Sequence, residues 1–117
     1  MELICLKKIS AYTTPNNRKD FIKVSLKLFL NELNNFEESL NNYHLEKNEL
    51  LLKQAIHKIK PNFELFVNER EIIDNLIYTY NLNFDLKYYE IDKNIKTLLE
   101  ITKKIKIELK IKILDYS

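Results

Sequence analysis

The sequence contains no glycine, and proline occurs only at Pro15 and Pro61. Tight β-hairpin turns draw on residues that accept positive φ, glycine first among them. A fold of many short strands is therefore disfavoured, and long helices joined by asparagine-containing loops suit the composition better. Cysteine is almost as scarce. Cys5 stands alone, which excludes an internal disulfide and a thiolate metal cluster, and a single thiol suits a reducing compartment. Long apolar runs are missing too. Residues 1–9 are apolar but interrupted by Glu2, Lys7 and Lys8, too short and too charged for a signal peptide. Nothing approaches the roughly 18 apolar residues of a membrane span. These absences lead to the expectation of a soluble, cytoplasmic chain.

An excess of one charge is also lacking. Nineteen basic and 17 acidic residues leave a net charge of +2. A strong nucleic-acid footprint needs a larger surplus, so a nucleic-acid-binding reading would rest on lysine content alone. What is present is an ordinary globular balance, 45% hydrophobic and 31% charged over 117 residues. That fits a single domain, 1–117, able to bury a core without staples.

Helical periodicity organises most of the chain. Residues 3–10 read as a short first helix. Thr13–Asn17 breaks it, with Thr14 placed to cap a new helix and Pro15 at its first position. From about Asp20 to Asn41, Ile22, Leu26, Phe29, Leu33, Phe36 and Leu40 recur at spacings of four and three. Phe21, Val24 and Leu28 add a second stripe, for which the short first helix is the natural cover. Residues 41–47 are polar and read as a loop containing His44, a solvated histidine. A helix follows from about Asn48 to Phe66, with Leu52, Ile56, Ile59, Phe63 and Phe66 as its core stripe. The next spans about Glu69 to Tyr80 and carries Ile72, Ile73, Leu76, Ile77 and Tyr80. Residues 81–85 read as a loop, and a last helix runs from near Asp85 to Leu114.

Within that last segment, residues 104–113 alternate polar and apolar, which is also a strand signature. Helix is preferred because the three-four rhythm of Tyr88, Ile91, Ile95, Leu98, Thr102, Ile105, Leu109 and Ile113 continues through it. Ile107 and Ile111 then lie off the core stripe and, with the tyrosines, are candidates for a partner surface. The expected fold is all-α: an up-down-up-down four-helix bundle with a short extra N-terminal helix.

His57 is the residue that points to chemistry. At about 100° per residue it falls roughly 140° from the core direction of its helix and faces solvent. A satisfied core histidine is thereby excluded, and an incidental surface histidine is the bland alternative. Lys53 at i−4 and Lys60 at i+3 flank the imidazole on one helix face. Two ammonium groups there would attract a phosphoryl group and stabilise it on the ring. An exposed imidazole offers a nitrogen lone pair that can attack an acyl phosphate.

The segment Ala55-Ile56-His57-Lys58-Ile59-Lys60-Pro61 resembles the motif of histidine phosphotransfer (HPt) domains, in which the phosphorylated histidine is followed three residues later by lysine and then by a small residue. The order of lead-in helix, first bundle helix and motif helix is similar as well, over roughly residues 3–114. The resemblance implies a phosphorelay intermediate rather than a turnover enzyme. His57 would accept a phosphoryl group from the aspartate of a response-regulator receiver domain and pass it to another receiver, with Lys60 stabilising it. Partners would be receiver domains and a hybrid histidine kinase, with neither nucleic acid nor membrane among them, and a monomer would suffice. No cofactor is implied for this chain, since the Mg²⁺ would belong to the receiver. The family also often places a polar side chain from the next helix on the imidazole, and Asn75 and Thr79 lie near that offset. Lys53, Asn75 and Thr79 are thus supporting candidates. Pro61 departs from the family's usual glycine, removes a backbone donor and opposes the His57 carbonyl. A kink beside the histidine is expected. It favours the competing reading, a non-catalytic helical-bundle adaptor with the family's shape.

Overall fold

A computed structural model describes residues 2–83, 85 and 88–116, without the side chains of His44 and Tyr88. The described residues form five helices: α1 (Lys7–Ser10), α2 (Arg18–Glu46), α3 (Glu49–Phe66), α4 (Arg70–Asn81) and α5 (Tyr88–Asp115). Among them there is no strand, only an isolated antiparallel bridge between Ile4 and Val67. Residues 104–113 are helical, as the continuing rhythm predicts.

The four long helices form a closed circuit, α2 against α3 and α5, α4 against α3 and α5. Each contributes one stripe to a single core. Phe29, Phe36, Phe63 and Phe66 knit α2 to α3. The Phe29 and Phe66 rings stack at 4.8 Å, and the Phe63 ring meets Phe29 and Phe36 edge-on at 6.0 and 6.2 Å. Such offset and edge-to-face pairs add to what area burial alone provides.

Three local expectations are corrected. The first helix is shorter than 3–10, because the backbone around Ile4 is extended and tied to the end of α3. Cys5 N–H donates to Phe66 O at 2.7 Å and Asn68 N–H to Leu3 O at 2.8 Å. The Leu3 and Ile4 N–H groups donate to the two carboxylate oxygens of Glu108 on α5, at 2.8 and 2.7 Å. Phe66 and Asn68 lie roughly 60 residues away in sequence and Glu108 about a hundred, all beyond the reach of local periodicity. Thr14 does not cap α2. It opens a turn in which Asn17 N–H donates to Thr14 O, and the helix begins at Arg18. Finally, 41–47 is not a loop. α2 continues through it, His44 included, because Tyr43 is buried and extends the stripe of Phe36 and Leu40 by one more step. The helix ends where Lys47 turns left-handed (φ 53°, ψ 31°), a conformation glycine usually supplies and this chain must force on a lysine.

The second stripe of α2 is not covered by α1. Val24 and Leu28 are exposed, and only Phe21 packs partly against the core. The expected 81–85 loop includes residue 84, and the expected start of the last helix includes residues 86 and 87. All three lie outside the described residues. Among the described residues, no helix is long and apolar enough to cross a membrane.

Candidate functional site

α3 begins at Asn48, whose side chain accepts a hydrogen bond from Leu51 N–H at 3.1 Å. This satisfies one of the free donors of the first turn. Leu52, Ile56, Ile59, Phe63 and Phe66 are buried, the stripe read from the sequence. Burial of that face turns His57 outward, and its side chain is exposed. The helix runs unbroken through Pro61 to Phe66, although proline withholds the donor that the His57 carbonyl would ordinarily receive.

His57 lines an open concavity of about 250 Å³ between α3 and α4, together with Ile56, Lys60, Ile77, Tyr80 and Asn81. The Tyr80 ring lies 6.3 Å from the imidazole, tilted by 36°. Lys53 Nζ lies 5.9 Å from the centre of the same tyrosine ring, within cation–π range. The structure thus brings His57, Lys53, Lys60 and Tyr80 into one neighbourhood.

Both lysines are held by carboxylates on the side away from the histidine. Lys53 pairs with Glu49 at 3.0 Å and Lys60 with Glu64 at 2.9 Å, each one helical turn away. The hydrogen bond from Lys60 holds the Glu64 carboxyl below the usual carboxylate range, against a smaller opposing effect of burial. Lys58 points elsewhere, to Glu32 on α2 at 3.6 Å.

Neither of the two α4 candidates lines the concavity. Thr79 is fully buried, and its hydroxyl donates to the Asn75 carbonyl at 2.8 Å, with the Asn75 side-chain oxygen at 3.2 Å. The reason is the stripe of α4. Its buried members are Ile72, Ile73, Leu76 and Thr79, so Thr79 occupies a core position. Tyr80, read from the sequence as core, is rotated outward toward α3 and is 39% exposed. Continuing the three-four spacing from Leu76 to Thr79 would have shown this, at the cost of admitting a polar core residue.

Chemically, the arrangement offers an accessible imidazole nucleophile with two ammonium groups nearby and an aromatic ring bounding one side. Among the described residues, no group of three or more His, Cys, Asp or Glu side chains comes together to hold a metal ion. No protein-family model, curated protein or solved structure matches the chain.

Proposed function

We propose that the chain is a histidine phosphocarrier of the HPt type. His57 takes a phosphoryl group from the aspartyl phosphate of a receiver domain and delivers it to another receiver, within a relay fed by a hybrid histidine kinase. The observation that carries this reading is the exposed His57 imidazole opening on the α3–α4 concavity with Lys60 one turn on.

A ring nitrogen lone pair attacks phosphorus, and a P–N bond forms as the acyl P–O bond breaks. The aspartate carboxylate leaves with the bonding electrons, and the ring's other nitrogen can release its proton to solvent. Return to a second aspartate reverses these changes. Lys60 would exchange the Glu64 carboxylate for the phosphoryl oxygens by side-chain rotation, the ion pair breaking as the phosphoryl charge arrives. Lys53 adds positive potential from the other side. Mg²⁺ would be held by the receiver.

The reading requires an up-down-up-down bundle of α2–α5 with α1 appended, in a single cytoplasmic, monomeric domain. Cross-helix ties support the topology: Glu32–Lys58 for α2 and α3, Tyr78–Glu90 for α4 and α5, and Lys106–Glu37 for α5 and α2. Its test is phosphorylation by a phosphorylated receiver or by phosphoramidate, comparing wild type with His57→Gln. Acid-labile label on wild type alone supports the reading.

The Lys60–Glu64 pair and Pro61 favour a second reading, an adaptor that binds signalling partners without accepting phosphate. A folded protein that binds a receiver but takes no label from either donor would favour the adaptor.

A further inference from the structure

The outer face of α5 concentrates charge and apolar surface that the bundle does not use. Ile107, Ile111 and Leu114, spaced four and three residues apart, are 63%, 57% and 73% exposed. Lys103, Lys104 and Lys110 lie within one turn of Ile107 on that side and are exposed, and Lys93 and Lys96 extend the basic strip toward the start of the helix. Among the described residues, none of these five lysines has an acidic partner.

The acids of α5 are mostly engaged elsewhere. Glu90 accepts from Tyr78, Asp92 pairs with Lys47, and Glu108 holds the N-terminal backbone. Lys106 and Lys112, in turn, pair with Glu37 and Glu2. Glu100 and Asp115 are the carboxylates left to accompany the five lysines.

We infer that this face docks on an anionic lipid surface, with Ile107, Ile111 and Leu114 entering the headgroup boundary and the lysines meeting lipid phosphates and carboxylates. A basic helical face with protruding aliphatic residues has the composition of an interfacial helix. The shape suits a plane. The molecule measures 52 × 25 × 22 Å, and a 28-residue helix of about 42 Å can lie only along its long dimension. A second copy is disfavoured, because apposed faces would set lysine against lysine. Nucleic acid would use the lysines but not the aliphatic stripe between them. An acidic protein would need a receptive groove, and the concavity beside the stripe is an open one made by Leu3 with α5 residues themselves. This inference is independent of the chemistry at His57 and runs against the sequence expectation that no membrane is among the partners.

The experiment is flotation of the full chain with phosphatidylcholine vesicles, with and without phosphatidylserine. Two variants are compared, Lys103→Gln/Lys104→Gln/Lys110→Gln and Ile107→Ser/Ile111→Ser, both checked for folding by circular dichroism. The expected result is binding only to phosphatidylserine vesicles, reversed by high salt. Partition should fall about fivefold for each lysine neutralised, roughly a hundredfold for all three, and about a hundredfold for the isoleucine variant, which removes two largely exposed aliphatic side chains. No binding, equal binding to neutral vesicles, or full binding by either variant would overturn the inference. Capture by polyglutamate or duplex DNA without vesicle binding would overturn it in favour of those partners.

Discussion

Thr102 stands in the middle of the α5 core stripe, the one polar member among isoleucines and leucines. It is fully buried, and among the described residues its hydroxyl has no hydrogen-bond partner. A buried, unsatisfied hydroxyl costs about 1–3 kcal/mol relative to the same group in water. Thr102→Val replaces that hydroxyl with a methyl of similar size, and threonine and valine have nearly equal helix propensities, so the backbone contribution cancels. The substitution should therefore stabilise the protein by about 1–2 kcal/mol, raising the melting temperature by roughly 4–8 °C in a domain of this size. Thr102→Ser provides the opposite control. It keeps the hydroxyl, removes a buried methyl and should cost about 1 kcal/mol. Urea and thermal unfolding of the three proteins, with unchanged m-values, measure both effects. A valine variant as stable as wild type or less stable would refute the reasoning, because it would mean that the hydroxyl has a bond worth keeping.

Three further outcomes follow from named contacts. Asn48→Ala removes the α3 cap and should lower stability by about 1 kcal/mol in urea unfolding, with Asn48→Asp close to wild type. Glu108→Ala strips the acceptor from two backbone donors and should cost about 2–3 kcal/mol, accompanied by faster amide exchange at Leu3 and Ile4; unchanged exchange there would count against the tie. Glu64 titrates below its ordinary value because Lys60 hydrogen-bonds it, so the pair's contribution is present above the unfolded-state pKa and is lost as pH falls through the lower folded value. Carbon-detected NMR titration should show the Glu64 midpoint rising in Lys60→Met, and an unmoved midpoint would remove the ion pair from the account.

The sequence was most informative where one helix has one partner-facing stripe. The α3 stripe and the outward direction of His57 follow from spacing alone, and so does the helical character of 104–113. Elsewhere the physics was not local. The extended backbone around Ile4 depends on Phe66, Asn68 and Glu108, which no window of neighbouring residues contains. The end of α2 was misplaced because asparagine-rich composition suggested a loop, whereas burial of Tyr43 outweighed it and the absence of glycine left Lys47 to make the turn. At the site, the core position of Thr79 displaced the expected polar partner and brought Tyr80 to the imidazole. A threonine in a core stripe is invisible to a pattern that counts only apolar residues, and Thr102 was legible only because the three-four rhythm continues on both sides of it.

The phosphocarrier account stands or falls on His57. Incubation with a phosphorylated receiver domain, and with phosphoramidate as a donor that needs no docking, should place one acid-labile phosphoryl group on wild type, located at His57 by mass spectrometry, and none on folded His57→Gln. A folded wild-type protein that takes no label from either donor, or a His57→Gln variant labelled as well as wild type, would contradict it.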